Sequence, residues 1–194
     1  MGLLAALDFL PGLVPATTAL HASFADGSGL VEAPALLLGG PAVGDGRPAV
    51  PMGGTPLPEN ESFRALIGPA HEAAIAALAA ERSAAAAAFG IRDLPGADEM
   101  IATHAGAPKG DGARPLPADP TALLRDTVIA SLVPLASAAR IAGTPAPMTE
   151  AMIALAATTL GADLMTAGRR LESLGIPGDL TAARRALEAR AKGG

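Results

Sequence analysis

The sequence predicts an all-α fold, a multi-helix bundle forming a single domain over residues 1–194, and three observations carry that prediction. Alanine supplies 47 of the 194 residues; it is the best helix former and adds little side-chain volume, which favours closely packed helices. Tryptophan and tyrosine are absent and only four phenylalanines occur, leaving few β-branched or aromatic runs from which to build a sheet. Apolar residues recur at helical spacing, and cap and stop residues bracket them.

Between Leu3 and Ser28, apolar stretches broken by Pro11, Gly12 and Pro15 read as a short helix, a turn, and a second helix from about Pro15 to Ala25. Leu30 to Gly39 is apolar enough to be buried, but Pro34 interrupts it and leaves its state open. Glycine and proline crowd residues 39–58, which predicts a long loop or crossing arm. Ser62 is placed to cap a long helix reaching Phe89, with Gly90 as its stop. Phe63, Leu66, Ile67, Ala70, Ala74 and Leu78 form its inward stripe. A second Gly/Pro-rich linker spans about 106–120.

Asp119 then caps, Pro120 takes the first helical position, and the helix runs to Ile141 with a kink expected at Pro134. Gly143 ends it. Pro147 opens the next helix and Gly161 closes it. Asp163 caps a third that runs to Gly175, and Asp179 caps the last.

Composition narrows function. Without cysteine there is no disulfide framework, thiolate metal site or cysteine nucleophile, which fits a cytoplasmic location. A net charge of −5 and the lack of a basic cluster argue against nucleic acid; Arg184, Arg185, Arg190 and Lys192 fall in the last turns of a helix, where cations suit the dipole. Glu81 and Arg82 cut the alanine-rich run from Ala73 to Phe89 short of a membrane span, and the first twenty residues lack the basic start of a signal peptide. The histidines at 21, 71 and 104 have no zinc-motif spacing, and no Gly-x-Ser-x-Gly elbow occurs. His71, beside Ile67 and Ile75, reads as a half-buried ring with its bonds satisfied. The Glu81-Arg82 pair reads as structural.

One stretch points further. It begins with Asp126 and continues through Leu132-Val133-Pro134, Ala142-Gly143 followed by Pro145 or Pro147, and Gly168-Arg169 through Leu174-Gly175. In order and spacing it resembles the helical C-terminal domain of the octopine/nopaline (opine) dehydrogenases. That resemblance implies the substrate-side half of an oxidoreductase that condenses an amino acid with a 2-keto acid and reduces the imine with NAD or NADP. It also implies a separate Rossmann domain for the cofactor, which would lie on a partner subunit. The G-x-G-x-x-A run Gly44 to Ala49 follows no strand, and Pro48 spoils the helix a pyrophosphate needs, so no cofactor is expected to be bound by this chain alone.

The resemblance further implies a catalytic histidine that exchanges a proton at the substrate carbon, a role suited to a side chain that titrates near neutrality. Two registers are open. One places Glu32 at that position, with Ala33 at a following proline and Gly39 at an asparagine; the other uses His21, with Gly29 and Glu32 after it. Glutamate could serve only if burial lifted its pKa toward neutrality; its plain alternative is a surface or loop-edge carboxylate. For His21 the alternative is a helix residue with a satisfied ring. Asp126 matches the family's aspartate, but Thr121 stands where the family has a substrate-gripping arginine. Arg125, one helical turn on, is the remaining candidate for that grip, and its alternative is a solvent-facing arginine paired with a nearby acid. Arg125 and Arg169 would serve a chain that binds a small carboxylate without turnover. Members of the wider dehydrogenase class often self-associate through their helical domain, so the resemblance makes a homodimer one expectation. A non-enzymatic dimerisation or interaction domain with a decayed active site is the alternative to catalysis.

Overall fold

A computed structural model describes residues 19–38 and 62–192, with side chains through residue 189. The first helix and the arm expected at 39–58, including Gly39 and the run Gly44 to Ala49, lie outside the described residues. Within them the chain is helical, with two isolated bridges, Ser62 to Pro115 and Gly106 to Ala113, in place of any strand. The helices are α1 (Ala19–Ala25), α2 (Ser28–Leu37), α3 (Pro69–Ala88), α4 (Ala97–Ala105), α5 (Pro120–Thr127), α6 (Val133–Ala142), α7 (Pro147–Leu160), α8 (Leu164–Ala167) and α9 (Leu180–Lys192).

Helix α2 is the axis of the bundle. It takes in the ambiguous apolar run, Pro34 included, and is buried from Gly29 to Leu37. It packs against α3, α4, α5 and α7. A helix apolar on every side has no solvent face to offer and ends up enclosed. Its start needs glycine: a Cβ on Gly29 would sit 2.3 Å from the Ser131 Cβ, so only a bare backbone lets the helices cross that closely.

Three expected elements differ. The long helix does not begin at Ser62. A 3₁₀ turn, Phe63–Leu66, comes first, and α3 starts at Pro69. Pro69 disfavours helical geometry at the residue before it, so Gly68 is extended (ψ −174°) and the chain breaks there. Ser62 makes no cap and donates its hydroxyl to the Pro108 carbonyl at 2.9 Å. Ala70 faces solvent, whereas Phe63, Leu66, Ile67, Ala74 and Leu78 are buried.

The helix from Pro120 to Ala142 is continuous but changes pitch. Val128–Leu132 is π-helical and joins α5 to α6 just before Pro134. Proline has no N–H to return to the preceding turn, and widening that turn accommodates the loss. The Ile129 carbonyl is met from outside by the Arg169 N–H at 3.0 Å.

The expected third C-terminal helix is two short pieces. Asp163 caps α8 through the Thr166 N–H at 3.0 Å, but Gly168 is extended and a 3₁₀ turn, Leu171–Leu174, follows. A Cβ on Gly168 would lie 2.5 Å from Val133, so this crossing is made by backbone rather than by a helix surface. The remaining signals act as expected. Asp119 and Asp179 accept from the N–H groups of Ala122 and Ala182 at 2.8 and 2.9 Å, and Gly143, Gly161 and Gly175 stop their helices with φ of 68°, 58° and 75°. Helix α4 was not expected from the sequence pattern. Its buried Met100, Ile101 and Ala105 close one side of α2.

Pro120–Ala142 is the one described helix long and apolar enough to cross a membrane, and 56% of its most apolar window is buried inside the bundle. That is the environment of a core helix.

Candidate functional site

The burial of α2 decides the fate of Glu32. It is not a surface or loop-edge carboxylate: it is 7% exposed in the middle of the axial helix. One carboxylate oxygen takes a hydrogen bond and ion pair from Arg114 Nη2 at 2.7 Å, and the other accepts from the Thr127 hydroxyl. Arg114 reaches in from the 106–120 linker, donating Nη1 to the His104 carbonyl at 2.7 Å, and its guanidinium lies 4.3 Å over the Phe63 ring. An acid drawn into an apolar core is held only if it is paired and hydrogen-bonded, and Glu32 meets both conditions.

The other expected site residues are not gathered around it. Thr127 touches Glu32, but the next residue back, Asp126, faces solvent, as do Arg125 and Thr121. Thr121 and Arg125, four residues apart, share the outer side of α5; among the described residues Arg125 forms no ion pair with an acid. His21 is half-buried on α1. The structure brings Glu32, Arg114, Thr127, Phe63 and the His104 backbone together, and leaves Asp126, Arg125 and Thr121 outside.

Two further polar centres support the same frame. Glu81 of α3 accepts from the N–H groups of Met148 and Thr149, at 2.7 and 2.8 Å, and from the Thr149 hydroxyl at 2.7 Å, so it caps α7 from another helix. Beside it, Arg82 is 1% exposed and donates to the carbonyls of Phe24 and Pro95. Near the C-terminal end, Ser137 donates to Glu172 at 2.6 Å and accepts the Leu171 N–H at 2.9 Å, while Arg140 pairs with the same carboxylate. Burial pushes Glu172 upward, yet the Ser137 hydroxyl, its own backbone and the nearby Arg140 and Arg170 outweigh that, and it settles below the usual carboxylate value.

Both described core-facing histidines are biased toward the neutral ring. Burial lowers His71, against the opposing pull of Glu72, and its Nδ1 accepts the Gly68 N–H at 3.1 Å. It is more enclosed than the half-buried ring expected, and its Nε2 is buried with no partner. Burial also lowers His104; Asp26 and Glu32 oppose this, while Arg114 and Arg82 add to it.

Sequence reasoning missed Arg114 and Thr127 as partners of Glu32. They stand 82 and 95 residues away along the chain, and an arginine inside a Gly/Pro-rich linker carries no periodic signal. Among the described residues no three His, Asp or Glu side chains converge as a metal site, and no βαβ unit is present. The described residues include two open concavities. One of about 380 Å³ lies beside Ser137, Arg140 and Glu150, and one of about 450 Å³ lies between α1, α6, α9 and the Arg169–Ile176 segment.

No protein-family model and no curated protein sequence matches the chain.

Proposed function

We propose that this chain is the helical, substrate-side half of an opine-dehydrogenase-like oxidoreductase and has no turnover by itself. The observation that carries this reading is the engagement of Glu32. It occupies the position that the sequence resemblance gives to a proton-transferring histidine, and here both of its oxygens are taken by Arg114 and Thr127 inside the core. A group that must give and take a proton needs an open path to substrate, and a carboxylate closed in by an ion pair and a hydroxyl offers none. NAD or NADP would be held by a separate Rossmann subunit in the cytoplasm, and a small carboxylate substrate would meet this chain through the exposed Thr121, Arg125 and Asp126 side of α5. The test is oxidation of NADH and NADPH by the purified chain in the presence of pyruvate and a panel of amino acids. No turnover is expected; a rate in the usual enzymatic range, about 1 per second or faster, would sink the proposal.

A second reading, a helical dimerisation domain, rests on a different observation. Leu174 is 57% exposed and Met165 42%, the large apolar side chains that stand exposed among the described residues. Sedimentation of the chain over a range of concentrations decides it, since a strict monomer removes the rationale.

A further inference from the structure

The groove of about 450 Å³ is unlike the rest of the surface. Its walls are Leu20, Phe24, Leu30, Leu135, Ile176 and Leu187, drawn from five separate parts of the chain. Two guanidinium groups border it, those of Arg82 and Arg169, against the single carboxylate of Asp26. Asp26 already accepts the Ser28 N–H at 3.0 Å. Arg82 is 1% exposed, forms no ion pair among the described residues, and has a buried Nε without a hydrogen-bond partner. Its direct partners are two carbonyls; Asp26 and Glu99 favour its charge from farther off without pairing with it, so one of its buried N–H groups is left without an acceptor. Arg169 likewise has no ion pair among the described residues, and its backbone is pinned at the groove by its bond to the Ile129 carbonyl.

We infer that this groove binds a monocarboxylate with an aliphatic body, its head drawn to Arg82 and Arg169 and its chain lying along the leucine walls. Apolar walls with a few convergent polar groups are the usual design of a small-molecule site, and the volume falls within the roughly 300–1,000 Å³ such sites occupy. The guanidinium fork suits a carboxylate head, and the walls suit methylene groups rather than a second charge. Neither Glu32 nor the exposed Thr121, Arg125 and Asp126 side chains line this groove, and it does not depend on any oxidoreductase role.

The experiment is calorimetric titration of octanoate into the full chain, with 1-octanol as the uncharged probe of the same length. Octanoate should give a saturable single-site isotherm, and 1-octanol should bind at least about tenfold more weakly, the scale of one charge-assisted hydrogen bond. Ala130→Phe fills the groove from an exposed wall position and should abolish octanoate binding without unfolding the chain, checked by circular dichroism. Equal affinity for the acid and the alcohol overturns the proposal, as does unchanged octanoate binding by the folded Ala130→Phe variant. A full chain that gives no saturable heat with octanoate also overturns it.

Discussion

Glu81 and Glu32 are both acids turned into the bundle, and they are held in opposite ways. Glu81 is answered by the start of a helix: two backbone N–H groups and the Thr149 hydroxyl converge on it at 2.7–2.8 Å. Those donors are orphans of α7 that need an acceptor in any case, and the helix dipole favours the negative charge. Glu32 is answered by a second charge brought in from a linker, so two ions lose water instead of one. The first arrangement uses partners that folding supplies automatically; the second depends on one long-range contact that nothing local enforces. The Glu32 site is therefore the more fragile of the two.

The largest effect should come from breaking that contact on its cationic side. Arg114→Ala leaves a buried carboxylate with only the Thr127 hydroxyl, and removal of one partner of a buried pair costs about 3–5 kcal/mol. The Arg114 side chain is 31% exposed, so water screens part of the pair, and the expected loss is at the low end, about 3 kcal/mol. Urea denaturation should show a lowered midpoint with an unchanged slope. A loss below about 1 kcal/mol would mean that Glu32 is solvated, not locked, and would reopen it as a proton-transfer group.

Removing the acid from the other site should cost less. Glu81→Ala exposes the start of α7 without leaving any charge stranded, and loss of a cap costs about 1–2 kcal/mol. Glu81→Gln keeps an acceptor oxygen and should lose less than the alanine variant. If Glu81→Ala proved as damaging as Arg114→Ala, the distinction between a helix-answered and an ion-answered acid would fail.

The same contrast explains how much of the molecule was legible in its sequence. Asp119, Asp179, Gly143, Gly161 and Gly175 act within one helical turn of themselves, so their roles could be read directly, and with them the all-α class and most of the C-terminal half. The break at Gly68-Pro69 is equally local, but the apolar stripe starting at Phe63 runs across it and hides it in the sequence. The division of α8 from the following turn was not local: it follows from Gly168 crossing Val133, 35 positions earlier. Helix α4 is short, and only Met100, Ile101 and Ala105 of it are buried, too few to stand out as a period. At the candidate site, the position of Glu32 was legible and its environment was not, because both partners lie more than eighty residues away.

Acid conditions give a gentler probe. His71 and His104 have folded-state pKa values held below the ordinary 6.5 by burial, so the unfolded chain takes up protons first as pH falls. Their contribution is present above the unfolded value and is lost as pH drops through it toward the folded one. Glu172 and Asp163 also have depressed values, but their contributions fade only near and below the ordinary 4.5 and 3.8. Stability should therefore decline between about pH 7 and 5 through the histidines alone. His71→Asn and His104→Asn should each flatten that decline, and a wild-type stability constant across this interval would contradict the burial of both rings.

The smallest effect is the sharpest on function. Arg125 and Asp126 immediately precede Thr127 yet take no part in the Glu32 cluster, so Arg125→Ala and Asp126→Ala should each change stability by no more than about 0.5 kcal/mol. A larger loss would show that these side chains hold the bundle together and are not free to receive a ligand. With stability unchanged, any effect of either substitution on pairing with a Rossmann subunit, or on heat evolved with a 2-keto acid, is attributable to the outer face of α5. Glu32 cannot be separated in this way, since every substitution there changes the core as well as the chemistry; the exposed pair on α5 isolates the functional question from the structural one.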